Sequence, residues 1–354
     1  MKKIVTLILV FVLALSVFGC TQPAGQPEAT PTPPPAAPST PSAPPDISQT
    51  PGEGEYKQYP DFKVAALLSG VITDNGWSAN MYNAVMNLAD KYGVTADYVE
   101  SVTVSDMEEY LRGFAGDGYG LVIAHGSQFI DVVNAVAGDY PDTLFAISFA
   151  ATDVSQHDNV ACIAPVNQGI LEGIAAGALT KTNKVAMLGS EENPSISGDI
   201  NVFESGVRLV NADAEVITGY IGSATDADKG KEMAMTLISS GVDVITHQAN
   251  AAGLGVLQAA EEAGILAVGI NTDQYSVAPD AVVTSVLRNF PAIYEALLPD
   301  IAEGKLTGGL YRFGIKEQGC VFSDWHGWDA KLPAEIKLIQ DTVQGIIDGT
   351  IAEP

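Results

Sequence analysis

Short apolar runs alternate with amphipathic helical segments along most of the chain, and this alternation constrains the fold more than any other feature. Several of the runs, such as LVIA from Leu121 and ILAVGI ending at Ile270, are apolar on both faces. Strands of that kind are typical of a parallel sheet that helices cover on both sides. The repeated β–α units therefore predict a doubly wound α/β fold.

Hydrophobic periodicity places the individual elements. Strands are expected at Phe62–Ser69, Ala96–Glu100, Leu121–His125, Leu144–Phe149, Val160–Pro165, Lys184–Leu188, Glu215–Tyr220, Val242–His247, Leu266–Ile270 and Val282–Leu287. Helical segments are expected at Ser105–Ala115, Phe129–Val136, Gln168–Leu179, Lys229–Ser239 and Leu254–Glu262.

The body of the chain is long enough for one large domain or two medium ones. A single sheet of ten strands would be large, and no helical pattern separates the predicted strands Leu144–Phe149 and Val160–Pro165. This break indicates that a first lobe ends near Pro165 and that a second lobe begins at Val166.

The first 20 residues have the form of an export signal. Lys2 and Lys3 precede an apolar stretch from Ile4 to Phe18, which is shorter than the ~20 residues of a membrane span. The run ending at Cys20 resembles a lipobox, in which the cysteine thiol receives a lipid. We therefore predict a lipoprotein that Cys20 anchors at the extracytoplasmic face of a bacterial cell membrane. The alternative is a signal peptide with an incidental cysteine.

Residues 21–60 differ sharply in composition from the remainder of the chain. Pro, Ala, Thr, Ser and Gly dominate, and large apolar side chains are almost absent before Tyr56. Such a segment buries too little surface to offset the entropy of ordering it. We predict a disordered linker that holds the globular body away from the membrane.

The net charge of −26 limits the partners of the chain. A body this acidic repels nucleic acid and anionic lipid, so membrane attachment must come from the lipid anchor. Of the remaining cysteines, Cys162 and Cys320 lie in apolar contexts that favour buried free thiols; a disulfide between them is the alternative.

Sequence signatures of catalysis are missing. The four histidines are widely separated, and the chain contains no HExxH, no paired-cysteine zinc spacing, no G-x-S-x-G elbow and no phosphate-binding G-x-x-x-x-G-K-[ST] loop. We expect no metal, no cofactor and no enzymatic activity, although His–carboxylate pairs could still assemble in space.

The stretch from Phe62 to Gly93 holds the first candidate ligand contacts. An apolar strand leads into a loop with Asp74, Asn75 and Trp77, and an amphipathic helix follows. In open α/β sheets, ligands bind beyond the carboxyl ends of the strands. There an indole offers a flat apolar face, and an acid or amide can address the polar edge of a ring. Alternatively, the loop is simple turn chemistry and Trp77 packs in the core.

Polar side chains recur beyond the carboxyl ends of later strands. Such a set is typical of a small-molecule site with a few convergent polar groups, although any single member could merely cap the next helix. The candidates are His125, Ser127, Phe129, Ser148, Gln248, Asn250, Asn271, Asp273 and Arg288.

Several longer stretches resemble the basic membrane protein family, which includes purine nucleoside receptors. TDNGWSANMYNAV resembles the family's first-loop motif, and AVAGDYPDTLFAI its A-x-x-Y-P-D-x-x-F stretch. EGIAAGALTKTNKVAMLG, YIGSATDADKGKEMAMTLISSGVDVI, GINTDQ and TSVLRN resemble further conserved segments of that family. The likeness extends from about Phe62 to Ile301.

The resemblance implies a substrate-binding protein of an ABC importer, with the type I periplasmic-binding-protein fold. Its two lobes close on a small molecule, and the chain crosses between them three times. The implied N-terminal lobe spans 61–166 plus about 289–316, and the C-terminal lobe spans 167–288 plus about 317–354. The implied partners are a permease and an ATPase subunit, and the protein itself is expected to be a monomer.

By position, the resemblance places Asp74, Asn75 and Trp77 against the ligand from the first lobe, and Asn271 and Arg288 from the second. The chain departs from the family at several ligand-facing positions. Ser148 and Asn271 stand where nucleoside receptors have Asp, Ala224 replaces an aromatic residue, and Arg288 replaces Lys. We expect a nucleoside-like or nucleobase-like ligand. Because of these departures, we do not expect the same specificity for purine nucleosides as in those receptors. A sensor that signals without transport is one alternative, and a surface-anchored hydrolase is a more distant one.

Overall fold

The computed structural model describes residues 56–149 and 152–354. The predicted signal peptide, Cys20 and residues 21–55 of the predicted linker lie outside the described residues. Along the chain the elements are β1 (Lys63–Leu68), α1 (Trp77–Tyr92), β2 (Thr95–Val99), α2 (Val104–Gly116), β3 (Leu121–His125), α3 (Ile130–Ala137), β4 (Leu144–Ser148), β5 (Val160–Pro165), α4 (Gln168–Leu179), β6 (Lys184–Gly189), α5 (Pro194–Val210), β7 (Glu215–Tyr220), α6 (Ala227–Ser239), β8 (Val244–Gln248), α7 (Asn250–Ala263), β9 (Leu266–Ile270), β10 (Val282–Arg288), α8 (Phe290–Ala302), β11 (Gly309–Phe313), β12 (Cys320–Phe322), α9 (Trp328–Lys331) and α10 (Pro333–Ile347).

These strands form two separate six-stranded sheets. The first has the order β11-β5-β4-β3-β1-β2 and is parallel throughout. The second has the order β12-β10-β9-β8-β6-β7, and only its edge strand β12 runs antiparallel to its neighbour. The predicted α/β class with parallel sheets is confirmed. We call each sheet, together with the helices packed on it, a lobe.

Helices cover both faces of each sheet. In β1, Val64 and Ala66 belong to one apolar cluster, whereas Ala65 and Leu67 belong to the cluster on the opposite face. In the second sheet, β6 likewise divides its residues between two clusters. Because successive side chains of a strand point to opposite faces, both-sided apolar runs require two covered faces.

The chain passes between the two sheets three times. It leaves the first sheet after β5, returns for β11 and leaves again for β12. Sequence periodicity predicted neither β11 nor β12. Strand β12 has only three residues, and β11 begins with Gly309 and contains the exposed Arg312. The residue bounds predicted for the two lobes stay a prediction.

The ordered body begins earlier than the linker prediction placed it. Residues 56–60 were expected to be disordered, but the ring of Tyr56 lies 5.0 Å from that of Tyr92, between centroids. The backbone N–H of Tyr59 donates to the carbonyl of Tyr92 at 2.8 Å. The aromatic side chains of this segment bury enough surface to order it, so the linker prediction is wrong for these five residues.

Cys162 and Cys320 are free, buried thiols, as the apolar contexts predicted. Cys162 lies on β5 of the first sheet, and Cys320 lies on β12 of the second. Burial raises the pKa of both thiols, that of Cys320 to about 12. Both side chains therefore remain protonated and unreactive at neutral pH.

Candidate functional site

A cavity of about 500 Å³ lies between the two lobes, beyond the carboxyl ends of strands from both sheets. This volume falls in the range of small-molecule sites. Its lining combines aromatic rings with amides, hydroxyls and two carboxylates. The lining residues are Ser69, Trp77, Gly126, Ser127, Gln128, Phe149, Ser190, Glu191, Asn193, Pro194, Ser195, Ile196, Asp199, Ala224, Gln248, Asn250, Asn271 and Arg288.

Trp77 is the first residue of α1 and is half-buried at the cavity wall. Its ring stacks on the imidazole of His125 at 3.9 Å between centroids and meets the ring of Phe290 edge-on at 5.7 Å. The Trp77 ring therefore has one part in the core and another part on the cavity. The two alternatives considered for this residue therefore both hold: the ring packs in the core and also faces the cavity.

The loop before α1 holds Trp77 in this position. One oxygen of the Asp74 carboxylate accepts from the backbone N–H groups of Gly76 and Ala79, and the other accepts from the N–H of Ser78. These donors are backbone groups that a helix start leaves without helical partners. Asp74 thus stabilises the start of α1, which is a structural role beside the cavity.

Arg288 ends β10 and is almost completely buried. Its guanidinium pairs with the carboxylate of Asp199, donates to the carbonyl of Pro165 at 2.7 Å, and lies 4.1 Å from the ring centroid of Phe149. The positive charge is therefore neutralised by Asp199 and covered by an aromatic face. An anionic ligand would have to compete with Asp199 for this charge.

Close helix packing brings Asp199 to the cavity. A Cβ atom on Gly169 would lie only 2.1 Å from the backbone carbonyl of Asp199, so only glycine at this position lets α4 and α5 approach so closely. The N–H of Gly169 also donates to the Asp199 carboxylate at 3.3 Å.

A buried carboxyl group supports the amide of Gln248, which lines the cavity. Nε2 of Gln248 donates to Glu172 at 2.6 Å, and the hydroxyl of Thr246 donates to the second oxygen of Glu172 at the same distance. Glu172 is completely buried, and this burial raises its pKa well above the usual range.

Side-chain hydrogen bonds join the two lobes beside the cavity. The carbonyl of Asn75 accepts from Thr272 at 2.6 Å and from Gln274 at 2.8 Å. Nδ2 of Asn80, on α1, donates to the carbonyls of Asn271 and Arg288 at 2.8 and 2.7 Å. Helix α1 therefore supplies both a cavity-lining ring and a contact to the opposite lobe.

Six of the twelve predicted ligand-binding residues line the cavity: Trp77, Ser127, Gln248, Asn250, Asn271 and Arg288. The other six lie outside the lining, and each has another role. Asp74 caps α1, Asn75 contacts the opposite lobe, and Phe129 packs in an apolar cluster of the first lobe. His125 and Ser148 bond to each other at 2.9 Å behind Trp77, and Asp273 pairs with His326 at 2.7 Å near the surface.

Sequence reasoning missed a whole segment of the lining, from Ser190 to Ile196. This segment follows β6 and begins α5, so the rule applied to the other strand ends would have found it. Phe149 was also missed, although it directly follows β4. Its φ of 63° lies in the left-handed region, which aims the ring differently from the alternation of the strand.

Within residues 56–149 and 152–354, no group of three or more His, Cys, Asp or Glu side chains is placed to hold a metal ion. In the same part of the chain, no helix has the length and apolar composition needed to cross a membrane.

The chain matches known proteins over most of its length. A family model described as "ABC transporter substrate-binding protein PnrA-like" matches residues 62–346. The transcriptional activator protein Med of Bacillus subtilis is 30% identical over 279 residues, which cover 77% of this chain and 84% of that protein. Basic membrane protein A of Borreliella burgdorferi is 28% identical over 262 residues, covering 72% and 77% of the two chains.

Solved structures share the architecture. A solute-binding protein of an ABC transporter system from Aeropyrum pernix superposes with a TM-score of 0.71 at 22% identity, and the match covers 82% of this chain and 92% of that one. A transcriptional activator of the comK gene from Bacillus halodurans gives a TM-score of 0.69 at 19% identity, covering 82% and 99% of the two chains. At these identities the likeness concerns the fold.

Proposed function

Because the chain belongs to the PnrA-like family of ABC transporter substrate-binding proteins, we propose that it binds an uncharged, ring-containing small molecule of the nucleoside or nucleobase class. The molecule occupies the cavity between the lobes and is delivered to a permease that works with an ATPase subunit. The protein acts as a monomeric lipoprotein, held at the outer face of the cell membrane through Cys20.

The observation on which this proposal chiefly rests is the neutralised charge of Arg288 in a cavity lined by rings and amides. Its guanidinium pairs with the carboxylate of Asp199, donates to the carbonyl of Pro165, and is covered by the ring of Phe149. A phosphate or carboxylate ligand would compete with Asp199 for that charge. An uncharged molecule with polar edges can instead form hydrogen bonds with the amides of Gln248 and Asn271 and stack on the ring of Trp77.

Mass spectrometry of small molecules released from the denatured, purified protein tests the ligand class directly. A nucleoside or nucleobase should be released in near-stoichiometric amount. For protein stripped by unfolding and refolding, the same compound should raise the melting temperature, with a gain in stability of ~2.7 kcal/mol at a hundredfold excess over Kd. Release of a sugar, an amino acid or a phosphorylated compound would contradict the proposal.

A second function, sensing without transport, is favoured by one relative. The protein with 30% identity to this chain is named a transcriptional activator. Both functions use the same closure of the lobes around a ligand. Uptake of radiolabelled ligand by cells with and without the protein separates them, because a sensor leaves the uptake rate unchanged.

A further inference from the structure

Gln168 is a buried polar residue that contacts two members of the cavity wall. It begins α4, directly after the chain first crosses between the lobes, and its side chain is completely buried. Its Nε2 atom donates to Oδ1 of Asn271 at 3.3 Å and to the carbonyl of Val286 at 2.6 Å. Its Oε1 atom accepts from Nε2 of Gln248 at 3.1 Å.

The carbonyl of Val286 fixes the orientation of this amide. A backbone carbonyl can only accept, so the end of Gln168 that faces Val286 must be the nitrogen. Oε1 then faces Gln248, which has to donate. The second hydrogen on Nε2 of Gln168 faces Asn271, which has to accept through Oδ1.

Glu172, one turn later on α4, also fixes the orientation of the Gln248 amide. It accepts the second hydrogen of Gln248 at 2.6 Å, so both hydrogens on Nε2 of Gln248 are used. The arrangement is independent of the protonation of Glu172. In the protonated form, one oxygen can donate to the hydroxyl of Thr246 while the other still accepts from Gln248.

We propose that Gln168 is a positioning residue that sets the hydrogen-bonding polarity of the cavity wall, leaving Nδ2 of Asn271 as a donor and Oε1 of Gln248 as an acceptor for the ligand. In the described part of the chain, neither of these two atoms has a hydrogen-bond partner. A matching ligand accepts at Asn271 and donates at Gln248. Hydroxyl groups or the amide edge of a base can do both, whereas a carboxylate can only accept. The ligand part of this inference rests on the proposed function, and the amide orientation does not.

Side-chain amide NMR signals of the ligand-free, full-length chain test the orientation. The protein is labelled with ¹⁵N at Asn and Gln, and the signals of Gln248 and Asn271 are identified as those lost in Gln248→Met and Asn271→Ala. We expect Gln168→Met to move both pairs of signals. Glu172→Met should move the Gln248 pair only, and the conservative variant Glu172→Gln should leave both pairs in place.

A second variant covers the case in which Gln168→Met does not fold. Gln168→Glu keeps the shape of the side chain but removes both hydrogens of Nε2. A protonated carboxyl supplies one hydrogen, which the carbonyl of Val286 at the shorter distance accepts, so Asn271 has to turn its nitrogen towards position 168. Its amide signals should move strongly while the melting curve stays cooperative. Unmoved Asn271 signals in whichever position 168 variant is folded would overturn the inference.

Binding to a panel of adenosine, guanosine, inosine, uridine and cytidine adds a functional measurement by calorimetry. Gln168→Glu should weaken the tightest wild-type binder by roughly 5- to 150-fold, the range for one buried polar group left unpaired. Equal affinity in the two proteins would also overturn the inference. If the wild type binds no member of the panel, the nucleoside part of the proposed ligand class is wrong, and the amide signals still decide the role of Gln168.

Discussion

Trp77 and His125 hold each other in place through two hydrogen bonds and a stacked pair of rings. The indole Nε1 of Trp77 donates to the carbonyl of His125 at 3.4 Å, and the imidazole Nε2 of His125 donates to the carbonyl of Trp77 at 2.9 Å. Nδ1 of the imidazole then accepts from the hydroxyl of Ser148. The cavity-lining indole is therefore held before any ligand arrives, which limits the entropy that binding costs.

We predict that Trp77→Ala weakens ligand binding and also lowers stability. Loss of ring stacking costs ~1–3 kcal/mol per base in nucleic-acid sites, equivalent to about 5- to 150-fold in affinity. The ring also packs on His125 and Phe290, so its removal leaves a cavity in the core. Calorimetric binding and denaturant unfolding measure the two effects separately.

Trp325→Ala is the matched control for this change. Trp325 is also half-buried, packs on Phe322 at 5.4 Å between centroids, and lies in the second lobe away from the cavity lining. This variant should lose stability and retain its affinity. If both variants lose affinity equally, the Trp77 ring is not a ligand contact.

Buried histidines should make the protein less stable in mild acid. Burial lowers the pKa of His125 from 6.5 to about 3. Between those values the unfolded chain binds the proton and the folded chain does not. The free energy of unfolding therefore falls as the pH drops below about 6.5, by up to ~1.4 kcal/mol per pH unit for this residue.

The variant His125→Gln isolates this contribution. Burial also lowers the pKa of His247, to about 4, and raises that of Glu172, which has the opposite effect on stability. Both of these groups remain in the variant, so their effects cancel in the comparison. Denaturant unfolding between pH 7 and about 4.5 should give a shallower loss of stability for His125→Gln than for the wild type. Equal slopes would show that His125 is protonated in the folded state.

The sequence was sufficient for the strand–helix alternation because strands buried on both faces are continuous apolar runs, which stand out from the amphipathic helical segments between them. Four strands, including β3 and β5, have the predicted bounds. Strand β12 was missed because three residues carry little periodicity, and β11 was missed because Gly309 and the exposed Arg312 interrupt its apolar residues. Helices α5, α8 and α10 were not among the helical segments named from the sequence; the first turn of α5 is polar and forms part of the cavity wall.

The candidate site was predictable as a place and less so as a set of side chains. The rule that ligands bind beyond the carboxyl ends of the strands located Trp77 and Asn271 at the cavity. It also selected Phe129, whose ring packs in the core, because the rule does not specify in which direction a side chain points. The support by Gln168 and Glu172 depends on distances between α4 and β8–β10, and no local pattern in the sequence encodes those distances.

Removing the charge of Asp199 should change the preference of the cavity. In Asp199→Asn the guanidinium of Arg288 loses its ion pair, and a buried charge without a partner costs ~3–5 kcal/mol of stability. An added anion can recover part of that loss. We expect inorganic phosphate to raise the melting temperature of Asp199→Asn much more than that of the wild type at equal ionic strength. Equal responses would show that Arg288 cannot reach a ligand.

Lipid attachment at Cys20 predicts the location of the mature chain. Cys20→Ala removes the thiol that would receive the lipid, and the remaining body is too acidic to bind an anionic membrane. The variant should leave the membrane fraction and lose the mobility shift of a lipidated chain. Retention of Cys20→Ala in that fraction with unchanged mobility would contradict the predicted anchor.

Loss of the Asn80 amide should lower both the stability of the protein and its affinity for the ligand, because this side chain joins the two lobes. Asn80→Leu keeps the approximate volume but removes the two donations to the carbonyls of Asn271 and Arg288. Leaving such buried groups without a partner costs ~1–3 kcal/mol of stability. The same two carbonyls belong to cavity-lining residues of the second lobe, so the loss should also weaken binding about 5- to 150-fold.

Asn134→Leu provides a closely matched control within one lobe. Nδ2 of Asn134 donates to the carbonyls of Ile130 and Val154, both at 3.0 Å, and its side chain is as well buried as that of Asn80. Its Oδ1 atom accepts one further bond, from the N–H of Gln156, so the loss of stability should be at least as large. Affinity measured by calorimetry should fall in Asn80→Leu and stay at the wild-type value in Asn134→Leu. A parallel fall in both would mean that binding follows general stability, and that Asn80 has no specific role in holding the lobes together.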